Sequence, residues 1–421
     1  MYKFALMNDN NIMDMARLRC DAYPGFAHTT SLEQNAESIA EAHKRPDIKY
    51  YCAFKDDKII GGFNMWDFEM NMRQTMIKAG GVGAIAVDLC HKKEKAAREI
   101  MRYFISSIRK KGANMALLYP FDSAFYHRMG FGFGTLLQQL RVRPSDLVGG
   151  DTKSHIQRLT EDSATMLADF YNSRIKSTHG LISKRAEEFA TRLKTPANKI
   201  FAYVDNGIRG YIVFQFKKGS EESGLVNDIS VSELLFDSAE VFLELMAFVK
   251  SQSDQIRYVI INTQDEGLIH TIPDPRNHME RMLFPVYQEV CRTGLGIMYR
   301  ICDVEAFFGD IASCRFGNLN MTLRVNIHDS FVPENNKPFL LSFNDGLCKV
   351  VASTTPSTNN NIAPDAELSI DIAEFSSLIM GTVSLTSLVK YGKAQLSNES
   401  YLDVLSRSFS LDEKPICLTY F

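Results

Sequence analysis

The stretch from residue 79 to residue 119 constrains the fold most, because its pattern predicts a strand, a helix and a strand in turn. The segment AGGVGAIAVD at 79–88 is apolar and rich in glycine, which is typical of a buried strand. Residues 95–111 predict the clearest helix, since apolar side chains recur there at helical spacing and Gly112 follows. Residues 114–119 again predict a strand. A crossover of this kind indicates a mixed αβ sheet.

The residues before this stretch add elements to the same sheet. Residues 11–23 and 31–44 predict two helices. Residues 49–55 and 59–69 predict two strands joined by a tight turn, as in a β-hairpin.

Part of this pattern recurs after a polar stretch at 141–154, which predicts a linker. Residues 200–204 and 210–216 repeat the strand–turn–strand, residues 238–250 predict a helix, and residues 257–263 predict a strand. This second copy lacks the glycine-rich strand and has no basic loop before its helix. We therefore expect a degenerate copy that does not hold the ligand of the first.

The last part of the chain has another character. Its predicted strands are 318–328, 338–344, 347–353 and 366–370. A polar loop is expected at 353–365, and helices at 371–380 and 397–408. The chain ends on the apolar hexapeptide ICLTYF, which predicts a short, buried strand because free tails tend to be polar.

Length and composition set the outer bounds. A chain of 421 residues suggests about three domains, and the patterns place them at 1–145, 146–300 and 301–421. The expected fold class is α/β (α+β), with two mixed-sheet domains followed by a smaller α/β domain. A net charge of -3 excludes a protein whose whole surface binds nucleic acid or an anionic membrane.

Other sequence features point to a cytoplasmic protein without a metal. No stretch approaches the ~18 consecutive apolar residues of a membrane span, and the N-terminus lacks the basic and apolar regions of a signal peptide. The 8 cysteines and 9 histidines show none of the close spacings of a metal site.

Three places could carry chemistry. At 83–98 a strand leads through His91, Lys92 and Lys93 to a helix N-terminus, where backbone N–H groups and lysines could bind a pyrophosphate. Tyr126 follows a strand, and a phenol can donate a proton to a departing thiolate. If Phe421 is buried, its α-carboxylate could act as a base or anchor a substrate ammonium. The residues alone favour a solvated charged turn at 83–98 and a tyrosine packed at a sheet edge, and they also allow a terminal carboxylate that reaches solvent.

These motifs together resemble a known family. The order of elements, the segment GAIAVDLCHKKEKAAREIM and the segment FYHRMGFGFG look like the GNAT superfamily of acetyl-CoA-dependent N-acetyltransferases. The whole chain more narrowly resembles the Eis (enhanced intracellular survival) family. The early DAYPGF, the segment at 367–393 and the terminal aromatic residue contribute to this likeness. It implies two GNAT-like domains followed by a sterol-carrier-protein-like domain, and a hexamer.

The resemblance also implies a binding site for acetyl-CoA. Ile85, Ala86 and Val87 match the strand whose backbone pairs with the pantetheine arm. The pyrophosphate loop and first helical turn correspond to Lys93, Glu94, Lys95, Ala96, Ala97 and Arg98. Phe121 and Asp122 match residues that line the acetyl-CoA pocket.

The same resemblance implies the catalytic residues. Tyr126 matches the general acid toward the CoA sulfur, and Phe421 matches the terminal residue whose carboxylate is the general base. The loop and the penultimate residue depart from the family pattern. Family members usually have Arg-Arg-x-Gly where this chain has Lys92-Lys93-Glu94-Lys95. Lys95 stands where the loop usually has glycine, and Tyr420 stands where aminoglycoside-acetylating relatives have an acidic residue.

The expected function is therefore transfer of acetyl from acetyl-CoA to an amine of a small, polyamine- or aminoglycoside-like acceptor. Alternatives are a non-catalytic ligand-binding protein that uses the sterol-carrier-like domain, and an acetyltransferase of protein lysines. A homo-oligomer is expected, without nucleic-acid or membrane partners. Candidate acceptor-binding residues are Asp21, Trp66, Asp67 and Glu69.

Overall fold

The computed structural model describes residues 2–27, 30–221, 223–278, 288–351 and 363–421. The strands in chain order are β1 (Lys3–Leu6), β2 (Ile48–Lys55), β3 (Lys58–Met72), β4 (Thr75–Val87), β5 (Met115–Leu118), β6 (Gly132–Phe133), β7 (Leu137–Val142), β8 (Ile156–Arg158), β9 (Lys199–Val204), β10 (Ile208–Lys218), β11 (Asn227–Phe236), β12 (Ile256–Thr263), β13 (Cys291–Gly294), β14 (Met298–Ile301), β15 (Met321–His328), β16 (Pro338–Asn344), β17 (Leu347–Val351), β18 (Ala366–Asp371) and β19 (Ala394–Leu396).

The helices in chain order are α1 (Ile12–Ala22), α2 (Pro24–Ala27), α3 (Leu32–His43), α4 (Ala96–Lys110), α5 (Ser123–His127), α6 (Ala164–Ile175), α7 (Ala186–Lys194), α8 (Ala239–Lys250), α9 (Val304–Asp310), α10 (Ile372–Ile379), α11 (Leu385–Lys390) and α12 (Leu402–Phe409). The chain divides into two compact units. The first unit contains residues 1–134, 297–412 and 419–421, and the second contains residues 135–296 and 413–418.

The first unit contains a mixed sheet of order β1-β2-β3-β4-β5-β14-β6. Strands β4 and β5 are parallel and α4 connects them, so the crossover predicted from the sequence is confirmed. Helix α4 buries its apolar stripe on one face of this sheet, where Ile100, Phe104 and Ile108 are fully buried. Met15 of α1 and Ile39 of α3 belong to a separate core cluster with residues of β2 and β3.

The first unit also holds a second sheet, of order β17-β16-β15-β18-β19. The strands β15, β16, β17 and β18 were predicted from the sequence, and β19 was not. The expected loop at 353–365 falls mostly outside the described residues. Helix α10 is buried along its whole length. Arg300 and Asp329, both in the first unit, form an ion pair of 2.6 Å whose side chains are both fully buried.

The second unit repeats the strand order of the first in part. Its sheet has the order β13-β7-β12-β11-β10-β9-β8, and α8 connects the parallel strands β11 and β12. Only Asp237 and Ser238 separate β11 from α8, and the Ser238 hydroxyl accepts from the backbone N–H of Val241. This helix start is therefore already capped, which agrees with the expected degenerate copy.

The structure differs from the sequence expectations at several points. Strand β7, expected in the first domain, pairs in the sheet of the second unit, and β14, expected in the second domain, pairs with β5 and β6. The final hexapeptide forms no strand in the described structure, so that prediction is wrong. Its burial alternates instead, with Cys417 and Thr419 buried and Tyr420 exposed. Among the residues that the structure describes, no helix has the length and apolar character to cross a membrane.

Candidate active site

The middle of β4 is distorted in a way that opens one of its edges. The pairing of β3 with β4 shifts register between Gly62 and Asn64, and Ala84 takes a positive φ of 48°. Such a shift is a β-bulge, which bends the strand. On its other side, β4 pairs with β5 only over Ala79–Gly81. The strand beyond Gly81 is therefore separated from β5, and a ligand can enter between them.

A cavity of about 860 Å³ lies at this opening. Of the residues predicted from the sequence, it is lined by Ile85, Val87, Lys93, Lys95, Ala96, Ala97, Arg98, Phe121, Asp122 and Tyr126. It is also lined by His91 and Lys92, which belong to the loop predicted to bind a pyrophosphate, and by residues that were not predicted as site residues, namely Ala22, Tyr23, Pro24, Gly25 and Phe125. Its two ends differ, since one is basic and the other is aromatic.

The basic end is the N-terminus of α4, which has no side-chain cap. Uncapped N–H groups and the helix dipole favour an anion there. Lys93 and Lys95 both adopt left-handed backbone, with φ of 68° and 66°. Glycine has no Cβ to oppose that conformation, so the lysine at 95 occupies a position where glycine is favoured. Cavity and helix terminus together suit the pyrophosphate and pantetheine arm of a CoA ester.

Two predicted cofactor residues, Glu94 and Ala86, do not line the cavity. The Glu94 carboxylate lies 2.7 Å from the Nζ of Lys55 and 3.1 Å from the Nδ1 of His91. The hydrogen bond from Lys55, followed by that from His91, lowers the pKa of Glu94. Its charge is therefore balanced by partners beside it. Ala86 is buried within the sheet, opposite Gly62.

Tyr126 lies at the aromatic end, on the short helix α5. Asp122 caps this helix by accepting from the backbone N–H of Phe125 at 3.0 Å. The tyrosine is only 3% exposed, and its ring lies against Phe121, Phe125 and Phe131. Burial, followed by the charges of Tyr23 and Asp122, raises the pKa of Tyr126 above its ordinary value. The phenol is therefore protonated at neutral pH and is able to donate.

Tyr23 lines the cavity but was not among the candidate residues predicted from the sequence. Its hydroxyl donates to the carbonyl of Ile85 at 3.1 Å, which fixes the backbone of β4 at the opening. Burial raises the pKa of Tyr23, and the charge of Arg19 opposes this rise. The segment DAYPGF contains Tyr23, so the sequence did carry a signal for it.

The end of the chain also reaches β4. The ring of Phe421 packs against Trp66 at 5.3 Å and Phe68 at 4.9 Å between ring centroids. A Cβ built on Gly83 would lie 3.4 Å from the carboxyl carbon of Phe421. The terminal carboxyl group thus lies beside β4, two residues before Ile85.

The structure separates the four candidate acceptor-binding residues. Trp66 contacts Phe421, as described above. Asp67 points to the opposite face of β3, because side chains alternate along a strand, and its oxygens accept from the Nζ of Lys111 at 2.8 and 3.0 Å. Glu69 is exposed and shares the face of Asp67. Asp21 is exposed in the last turn of α1.

One group of side chains in the second unit has suitable spacing for a metal ion. Its members are Asp146, Asp274 and His278. These side chains already have protein partners, since His278 contacts Asp146 at 3.0 Å and Arg276 pairs with Asp274. The group therefore has an explanation without a metal.

Comparison with known domain families supports this description. Residues 3–134 match an acetyltransferase (GNAT) domain, residues 180–301 match a second acetyltransferase (GNAT) domain, and residues 304–418 match a sterol carrier protein domain. An uncharacterized N-acetyltransferase of Streptomyces avermitilis is 21% identical over 406 residues, which cover 92% of each chain.

Solved structures share the fold over the whole chain. Eis1 from Mycobacterium abscessus superposes with a TM-score of 0.76 at 18% identity, covering 100% of both chains. A GCN5-related N-acetyltransferase from Anabaena variabilis gives a TM-score of 0.81 at 14% identity, also covering 100% of both. The domain matches identify an enzyme of the GNAT acetyltransferase type, whose co-substrate is acetyl-CoA.

Proposed function

We propose that this GNAT-type acetyltransferase is a member of the Eis family and acetylates an amine of a small cationic acceptor, of the polyamine or aminoglycoside kind. Tyr126 is the general acid and the terminal carboxylate of Phe421 is the general base. The order of the three matched domains, the fold shared with Eis1 of Mycobacterium abscessus and the terminal aromatic residue support this assignment.

One observation carries the proposal: the terminal carboxyl group and the cavity both lie against the same five residues of β4, 83–87. The carboxyl group of Phe421 lies beside Gly83. Ile85 and Val87 line the cavity that also contains Tyr126. An acceptor amine beside Gly83 would thus be close both to a base and to the end of the cavity that suits a thioester.

In this proposal the residues divide the reaction between them. Acetyl-CoA supplies a thioester that an amine can attack. The carboxylate of Phe421 removes a proton from the acceptor ammonium and frees the nitrogen lone pair. Backbone N–H groups of β4 around Ile85 stabilise negative charge on the thioester oxygen. As the C–N bond forms and the C–S bond breaks, Tyr126 gives its proton to the departing sulfur, and the second proton lost by the nitrogen restores the phenol. Holding both reactants on one strand lowers the barrier further through proximity.

A panel of acceptors tests the function. The full-length chain is incubated with acetyl-CoA and spermidine, kanamycin, a simple monoamine or a lysine-containing peptide, and released CoA is measured through its thiol. We expect release with the small cationic amines. CoA release with the peptide alone would instead indicate a protein-lysine acetyltransferase. Binding of acetyl-CoA without CoA release in the presence of any of these acceptors would indicate a non-catalytic protein.

A variant with one glycine appended after Phe421 tests the base. It moves the charge and retains the aromatic ring. We expect turnover to fall about tenfold or more, as for loss of a general base, with unchanged acetyl-CoA affinity. The Eis resemblance extends the proposal to a hexamer, which light scattering would detect as six times the chain mass of 47.6 kDa.

A further inference from the structure

Tyr119 contacts each of the last three residues of the chain. Its hydroxyl donates to the carbonyl of Thr419 at 3.0 Å. Its ring stacks on Tyr420, with centroids 5.7 Å apart and planes at 22°, and lies 5.3 Å from the ring of Phe421. We propose that Tyr119 is a positioning residue that holds the terminal carboxylate of Phe421 beside β4. This inference rests on the proposed function.

Tyr119 is well placed for such a role because it follows a rigid element. It comes directly after β5, whose four residues are all buried. That strand pairs with both β4 and β14. A side chain fixed at the end of a central strand can hold a neighbouring group more precisely than one on a loop.

The end of the chain needs such support. Terminal residues tend to be poorly ordered unless other groups hold them, and the last residues lie in no helix or strand. Tyr420 is 56% exposed, so its own burial contributes little to order. Trp66 and Phe68 contact the ring of Phe421. Tyr119 contacts the main chain at Thr419 as well, which restrains the backbone that carries the carboxylate.

Placement of this carboxylate should matter because a misplacement of about 1 Å can cost about 10²-fold in rate. A carboxylate released into solvent would no longer stand beside the acceptor amine.

The test uses Tyr119→Phe, Tyr119→Leu and the control Tyr103→Leu. Tyr103 is a partly buried tyrosine that stacks on Phe4, in the core cluster of α4. We expect kcat to fall a few-fold in Tyr119→Phe and about 10²-fold in Tyr119→Leu, as for a displaced catalytic group. The affinity for acetyl-CoA should stay unchanged. The two leucine variants should lose similar thermal stability, but only Tyr119→Leu should lose turnover.

A double-variant cycle with the glycine extension separates this inference from the proposed function. If Tyr119 acts through the carboxylate, Tyr119→Leu should add little to the loss that the extension already causes. The inference alone would be overturned if the losses of turnover from Tyr119→Leu and from the extension multiplied in the double variant. It would also be overturned if Tyr119→Leu kept full turnover while the extended chain was inactive. A fully active extended chain would overturn the proposed base and this inference together. Tyr119→Phe keeps the test valid if the leucine variant fails to fold.

Discussion

The ring of Phe421 lies so close to Gly81 that a Cβ built on this glycine would stand 3.0 Å from the nearest ring carbon. The ring of Phe68 would be closer still. Gly81 is also the last residue of β4 that pairs with β5. The glycine-rich character of β4 therefore makes room for the end of the chain at the point where the two strands begin to separate.

Gly81→Ala should consequently displace the terminal residue. We expect a loss of about 1–3 kcal/mol in stability, because an added methyl group overpacks this site. The rate should fall about tenfold or more, because the moved ring carries the carboxylate. Thermal melts and CoA-release assays measure the two effects. Gly309→Ala in α9 is a matched control, since a Cβ there meets nothing within 4 Å. Full activity of Gly81→Ala would contradict the proposed place of the base.

The backbone of Lys95 leads to a prediction about the loop before α4. Lys95→Gly should raise stability by about 1 kcal/mol, since a left-handed conformation costs a residue with a Cβ about that much. Lys95→Ala loses the same charge and retains the Cβ, so it should not gain stability. Both variants should bind acetyl-CoA a few-fold more weakly, because a cation near the phosphates is lost. Equal melting temperatures for the two variants would show that the strain is absent.

The first strand–helix–strand pattern was predictable because its signals are local. Helical spacing placed α4, and the glycine-rich segment placed the strand that opens the cavity. The turn of Asp67 away from Trp66 was also predictable, since strand residues alternate between faces. The sequence analysis nevertheless grouped Asp67 with Trp66 as candidate acceptor-binding residues.

Long-range pairings were not predictable in the same way. β14 pairs with β5 although residues 135–296, which belong to the second unit, lie between the two strands in sequence. Local periodicity predicts that a segment forms a strand, but it does not predict which strand that segment pairs with. The apolar end of the chain indicated burial, but its position beside Gly83 depends on tertiary contacts with Trp66, Phe68 and Tyr119.

The two helix starts predict one acetyl-CoA per chain. The N-terminus of α4 has no side-chain cap, whereas Ser238 caps that of α8. Calorimetry should therefore give a stoichiometry of one, with affinity that weakens as salt screens the lysines of the loop. Two bound molecules per chain would show that the second unit also binds the co-substrate.

Tyr126→Phe tests the proposed general acid. The substitution keeps the ring packed against Phe125 and Phe131 and removes only the hydroxyl, so stability and acetyl-CoA affinity should change little. Turnover should fall about 10²–10⁴-fold, which is typical for loss of a general acid. Burial raises the pKa of Tyr126. In the native chain, Tyr126 should therefore stay protonated at every pH below about 10, the ordinary pKa of a phenol. Its deprotonation should not lower kcat in that range.

The controls for this variant distinguish the acid from its neighbours. Tyr103→Phe removes a hydroxyl outside the cavity and should leave turnover unchanged. Tyr23→Phe removes the hydrogen bond to Ile85 and should have a smaller effect than Tyr126→Phe, because it alters the strand and not the proton donor. Native turnover in Tyr126→Phe combined with a large loss in Tyr23→Phe would transfer the role of acid to Tyr23. Both tyrosines line the cavity, so rates measured across pH for all three variants decide between them.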